Sequence, residues 1–151
     1  MNIEEKNGIY FVSGNIDENC KLSHYNLPSG RVKFDLTLLK YMNSIGLREW
    51  VNGLANLKIV PTYINCPHSF VLLLNIMKEL SADDACIQSF QITATCRQCG
   101  NRKTLIATLG HDFFPGKQFV YKLPKCEIDG GELDTDSDLD SDYYFITELK
   151  P

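Results

Sequence analysis

The period of the apolar residues switches between strand and helix spacing over the first 95 residues and then loses every helical component. No other feature limits the fold as much. Ile9 to Ser13 is short, apolar and β-branched at its ends, which predicts a strand, and Gly14-Asn15 predicts a turn or bulge after it. Residues 16 to 30 are polar and leave room for one short helix at most. From Arg31 to Leu36 the pattern alternates, with Val32, Phe34 and Leu36 on one face and Arg31, Lys33 and Asp35 on the other, as in a half-buried strand. Leu47, Trp50, Val51, Leu54 and Leu57 recur at helical steps behind Ser44, which can cap the helix. Lys58 to Asn65 reads as a strand, and Pro61 within it predicts an edge position or a bulge. Pro67 to Leu80 reads as a second helix with Phe70, Leu73, Leu74, Met77 and Leu80 as its stripe. Ser81 to Asp84 is a polar link, and Ala85 to Thr95 is again strand-like.

The order β, β, α, β, α, β implies an α/β domain whose sheet contains parallel pairs covered by helices. Beyond Cys96 only short strand candidates remain, at Lys103 to Leu109, Gln118 to Leu123 and Tyr143 to Leu149. The chain therefore divides into a domain over residues 1–93 and a small β-rich module over 94–151.

Three runs in the first part carry a family resemblance. The segment from Val32 to Leu47, VKFDLTLLKYMNSIGL, is a strand ending Asp-Leu-Thr, then a link, then Met-Asn-Ser-Ile-Gly-Leu opening a helix. Upstream stands IYFVSGNID from Ile9 to Asp17, and downstream Cys66-Pro67-His68-Ser69-Phe70-Val71. In order and spacing these runs, over about residues 8 to 92, resemble the STAS domain of anti-sigma-factor antagonists. Those proteins carry Gly-Glu-(Leu/Ile)-Asp, Met-Asp-Ser-(Ser/Thr)-Gly-Leu and Ser-Pro-X-Val at the matching places. Asn43 stands where the family has Asp. The resemblance implies a STAS-like mixed sheet with helices and a non-catalytic, regulatory, protein-binding role. It also implies that Ser44 is phosphorylated by a partner that is both kinase and anti-sigma factor, which breaks the complex. Asn15, Thr37, Asn43, Ser44 and Arg48 would form the contact face for that partner or signalling complex. Read without the family, a hydroxyl at a helix start is either an N-cap or a place where the helix dipole and free N–H groups favour an added phosphate.

The second part holds the metal-ligand pattern. Cys96-Arg97-Gln98-Cys99-Gly100 is a Cys-X2-Cys-Gly knuckle, and Cys126-Glu127-Ile128-Asp129-Gly130 resembles a second knuckle with Asp129 in the place of the last cysteine. Knuckles of this kind turn tightly and point backbone N–H groups at the thiolates. Their spacing, with strand candidates between them, looks like a zinc ribbon. Cys96, Cys99, Cys126 and Asp129 could hold a structural zinc tetrahedrally, with His111 and Cys86 as rival fourth ligands; the alternative is a ribbon that has lost its metal. Zn–S bonds of about 2.3 Å would set the sulfurs of Cys99 and Cys126 roughly 4 Å apart. A redox pair of the thioredoxin type lacks a following helix to lower a thiol pKa. The three histidines, His24, His68 and His111, form no catalytic metal array.

Composition narrows the function. Hydrophobic residues make up 44% of the 151, enough for a packed core. A net charge of −4 disfavours nonspecific nucleic-acid binding, although a ribbon adaptor contacting nucleic acid or a protein complex is the alternative function that Arg97, Arg102, Lys103, Lys117, Lys122 and Lys125 suggest. The acidic run from Asp134 to Asp142 predicts a solvated loop, since Leu139 and Phe145 occupy positions where an EF-hand needs Gly and Glu. No window has the roughly 18 apolar residues of a membrane span, and the first residues lack the pattern of a secretion signal, so a cytoplasmic location is expected. There the six cysteines are thiols or ligands, with Cys20, Cys66 and Cys86 read as small buried hydrophobes. No nucleophile–base pair, phosphate loop or acid pair points to an enzyme.

Overall fold

Asn7 and Gly8 reverse the chain so that β1 (Asn2–Lys6) lies antiparallel to β2 (Ile9–Ile16) in the computed structural model, which describes residues 1–76 and 85–150. An Asn-Gly pair flanked by extended residues favours a tight hairpin turn. After a short 3-10 turn at Leu22–His24, β3 (Gly30–Met42) runs parallel to β2, β4 (Ile59–Ile64) parallel to β3, and β5 (Cys86–Ile87) parallel to β4. The result is a five-stranded mixed sheet in the order β1-β2-β3-β4-β5. Helix α1 (Ser44–Asn56) joins β3 to β4, and α2 (His68–Ile76) follows β4. The α/β expectation holds at this level.

The alternation in β3 buries Val32, Phe34 and Leu36 as expected. Helix α1 covers them with Leu47, Trp50 and Leu54. Phe34 meets Trp50 edge to face at 5.1 Å between centroids, and the buried indole N–H donates to the Tyr63 hydroxyl at 3.0 Å. That bond satisfies the polar end of two large side chains that otherwise serve the core as apolar surface.

Several expectations are corrected here. β3 does not stop near Leu36 but continues to Met42, with register shifts against β2 between Phe11 and Ser13 and between Gly14 and Asn15. Gly14 and Asn15 make no turn: they lie within β2 at the second shift, where β3 carries an extra residue between Leu39 and Tyr41. Asp35 keeps its place opposite Phe34 and Leu36, yet it is only 7% exposed, because Thr37 and Asn65 cover its carboxylate. Pro61 is not on an edge: β4 lies between β3 and β5, and the short β5 pairs only with Thr62 and Tyr63, so Pro61 precedes that ladder. Met77, Leu80 and the Ser81 to Asp84 link lie outside the described residues.

The expected strand from Ala85 to Thr95 is two strands in two sheets. β5 ends the first sheet, and β6 (Ser89–Cys96) begins a second, antiparallel sheet with β7 (Arg102–Thr108) and β8 (Leu133–Thr135) in the order β7-β6-β8. The change of sheet therefore comes at Gln88, ahead of the expected boundary at 93/94, which falls inside β6. The backbone stitches the sheets together at this point: Gln88 N–H donates to Tyr63 O, Cys66 N–H to Ser89 O and Gln91 N–H to Cys66 O.

Phe90 anchors the second lobe. Phe113, Phe119, Tyr143 and Phe145 surround its ring at 4.9, 5.3, 4.8 and 5.9 Å. Neither Gln118 to Leu123 nor Tyr143 to Leu149 is a strand. The former has no ladder partner and is held by the buried Phe119. The latter follows the helical turn α3 (Leu139–Asp142), which Asp138 caps by accepting from Asp140 N–H and Ser141 N–H, and forms the turn α4 (Phe145–Glu148). A helical step places Tyr143 and Ile146 on the same side, toward the core; the β propensity of Tyr-Tyr-Phe-Ile yields to that packing. The acidic run is accordingly structured, with β8 and α3 inside it. His68 contacts Asp142 at 3.1 Å, and Asn75 bonds Asp142 O and Phe145 N–H, docking α2 on this segment. Among the described residues no helix is long and apolar enough to cross a membrane.

Candidate metal centre

The two knuckles fold alike. Cys96 N–H donates to Asn101 O and Gly100 N–H to Cys96 O; Cys126 N–H donates to Gly131 O and Gly130 N–H to Cys126 O. Gly100 and Gly130 carry φ of 70° and 71°, which a side chain would strain. Asp129 thus occupies in the second turn the place of Cys99 in the first. β6 carries Cys96 at its end, β7 begins just beyond the first turn, and β8 begins just beyond the second. Pairing Cys96 with Leu133 across β6 and β8 brings the two turns face to face.

One ligand atom from each of Cys96, Cys99, Cys126 and Asp129 lies within 4.8 Å of every other. The sulfurs of Cys99 and Cys126 are 3.7 Å apart, close to the tetrahedral expectation, and Cys96 Sγ is 3.4 Å from Asp129 Oδ1. The rival ligands stand elsewhere: His111 is exposed and paired with Asp112, and Cys86 is on β5 beside Thr62. Cys96 and Cys126 are buried, while Cys99 and Asp129 are exposed.

The electrostatics suit a cation. The Cys99 and Gln98 N–H groups, with the Cys99 and Cys126 thiols, hold the Cys96 thiol below its ordinary pKa. The Gly131 N–H, at 2.8 Å, leads the groups that hold Asp129 below the usual carboxylate range. Cys99 receives the Asn101 N–H, but desolvation and its three neighbours push it up to about 11, so the metal-free cluster holds its negative charge unevenly. A divalent cation would relieve this by taking the place of the thiol protons. Three thiolates and a carboxylate fit zinc, and the set supplies four protein ligands.

Gly131 is a site residue that sequence reasoning missed. A Cβ there would lie 2.9 Å from Asp129 Oδ1, Cys96 Sγ and Gln98 Oε1, so only glycine lets the second turn close on the first. The doubled glycine at 130–131 was the visible signal.

Four basic residues of the ribbon face acids, and two of these acids, Asp134 and Asp136, belong to the acidic run. Arg97 bonds Asp134 through Nε and an η nitrogen at 2.5 and 2.6 Å, Arg102 bonds Asp136 at 2.9 Å, Lys103 pairs with Glu127, and Lys125 lies 3.5 Å from Glu132. Sequence reasoning treated the acids as a solvated loop; the register of β8 on β6 sets them against the arginines.

At the other end of the molecule Asn43, not Ser44, caps α1: its side chain accepts from Gly46 N–H at 2.7 Å. Ser44 is the first helical residue and is exposed, as are Asn15, Thr37 and Arg48. Asn15 pairs with Tyr41 near the ends of β2 and β3, beside the start of α1. Thr37 does not sit at a loop end; it lies inside β3, where its N–H and hydroxyl donate to Asp35 Oδ1 at 2.8 and 2.6 Å. Asp35 Oδ2 accepts from Asn65 at 2.9 Å, so this carboxylate, expected to face solvent, ties the middle of β3 to the residue that follows β4. Gly46 touches the backbone of β2: a Cβ there would stand 2.2 Å from Ile16 O, which is why the motif needs glycine. No family model, curated protein or solved structure matches this chain.

Proposed function

We propose that the chain is a non-catalytic regulatory module that binds another protein through the end of its first lobe at Ser44, as in the anti-sigma-factor antagonists it resembles. A structural zinc at Cys96, Cys99, Cys126 and Asp129 holds the second lobe. The observation that carries the reading is the division of labour at the start of α1. Asn43 takes the capping role, which leaves the Ser44 hydroxyl exposed at the helix N-terminus, where a phosphate would meet the positive end of the dipole. Leu38, Tyr41 and Ile45 are exposed in the same stretch of chain, at 59%, 53% and 55%, and supply apolar area for a partner of the kinase or signalling kind. Four protein ligands close the metal site against substrate, as structural rather than catalytic zinc requires. The cytoplasmic location expected from the sequence would keep those cysteines reduced. The ion pairs of Arg97 and Arg102 weigh against the nucleic-acid adaptor reading.

The test compares wild type, Ser44→Ala and Ser44→Asp as baits for the same extract. A partner held by the first two and lost on Ser44→Asp supports the switch. Equal capture by all three, and no change when Ile45 and Arg48 are also replaced, overturns it.

A further inference from the structure

We infer that Cys99 and Cys126 form a thiol pair that a hydroperoxide oxidises to a disulfide with expulsion of the metal, an inference that rests on the zinc reading above. The two sulfurs already lie 3.7 Å apart, from separate turns, and a disulfide needs them at about 2.05 Å. Their surroundings divide the work. Cys99 is exposed and open to a small oxidant, while Cys126 is buried at its side and shielded from one. Cys96 is also buried and its sulfur lies against Asp129.

The chemistry balances with peroxide as the oxidant. The Cys99 thiolate attacks one peroxide oxygen: an S–O bond forms, the O–O bond breaks, and the departing hydroxide takes a proton to become water. The Cys126 thiolate then attacks the Cys99 sulfur: the S–S bond forms, the S–O bond breaks, and the second hydroxide leaves as water on protonation. Two thiolates have lost two electrons, and the peroxide has become two waters. The metal then keeps only the Cys96 thiolate and the Asp129 carboxylate, too few ligands for a closed zinc site, and leaves as the dication. The hard carboxylate makes that loss easier than in a four-thiolate ribbon, where two sulfurs would remain. The other thiols supply controls within the same chain: Cys20 and Cys66 are buried and shielded from the oxidant, whereas Cys99 is exposed.

The experiment treats the zinc-loaded full chain with hydrogen peroxide. Released zinc is followed with a chromogenic chelator, and cysteine linkage is read by alkylation, digestion and mass spectrometry. Zinc release and a Cys99–Cys126 disulfide should rise together, reverse with a thiol reductant and zinc, and leave Cys20 and Cys66 alkylatable. Asp129→Asn keeps both sulfurs and should still give the disulfide, with faster zinc release; Cys99→Ser should give none. A Cys96–Cys99 disulfide as the product, or zinc loss with Cys99 ending as a sulfonic acid, overturns the inference. Retention of zinc and of all thiols does so as well. If the purified chain takes up no zinc, the metal reading fails by itself, and the linkage formed by the metal-free chain decides the thiol pair separately.

Discussion

The first lobe satisfies its backbone through ladders that run from β1 to β5, whereas the second leaves residues 109–132 outside any helix or named strand and holds them by other means. In the first, a helix packs on a sheet and the contacts follow from periodicity: Phe34, Trp50, Tyr63 and Phe70 form a continuous aromatic line across that interface. In the second, a long irregular stretch is pinned at two places, by the rings gathered on Phe90 and by the paired knuckles. Regular elements distribute stability over many bonds; pinned loops concentrate it at a few points. The two lobes should therefore fail differently.

The largest effect belongs to the first lobe. Trp50→Ala removes a fully buried indole and its bond to Tyr63, and should cost about 3–5 kcal/mol in urea unfolding, the same with zinc as without. A loss that depends on zinc would break the comparison. Metal removal comes next. Chelation, Cys126→Ser or Gly131→Ala should each cancel the gain from zinc, about 2.7 kcal/mol at a hundredfold excess over the dissociation constant. Amide exchange should quicken in β7 and β8 while β2 to β4 stay protected; uniform quickening would mean that the lobes unfold as one.

A smaller effect separates two neighbours. Asn43→Ala should cost about 1 kcal/mol through loss of the α1 cap, whereas Ser44→Ala should leave the midpoint nearly unchanged. The opposite ranking would return the cap to Ser44. The smallest effect is electrostatic. Arg97 holds Asp134 below the usual carboxylate range, so their pairing stabilises the chain above that range and is lost as the pH falls through the lowered value. Both groups are exposed, so Asp134→Asn should flatten the acid limb of the stability profile only slightly. A steep change would show that the acidic run closes the second lobe more firmly than its exposure suggests.

The legibility of the fold follows the same division. Val32, Phe34 and Leu36, and the Leu47, Trp50, Leu54 face, were visible because burial on one side imposes a period on the sequence. The Asn7-Gly8 hairpin is equally local, whereas β1 before it is mostly polar and exposed and carries no apolar period. Tyr143 to Leu149 looked like a strand because side-chain shape alone favours one, and nothing local records that Phe90 lies beneath it. The split of residues 85–95 between two sheets left no mark either, since β5 is only two residues long and a single residue, Gln88, separates it from β6. For the metal centre, ligand type and glycine position were written in both knuckles, and the choice of Asp129 over His111 was made by the register of β8 on β6.

By itself the sequence determined the alternation of the first lobe and the two knuckles with their candidate ligands, because period and turn chemistry are local properties. The tertiary structure alone decided that Asp35 is buried, that the acids of residues 132–136 meet Arg97 and Arg102, and that Asn43 rather than Ser44 caps α1. Each of these depends on what a distant part of the chain supplies: the Asn65 amide beyond β4, a strand from the far side of the second knuckle, and the close approach of Gly46 to Ile16 at the helix start.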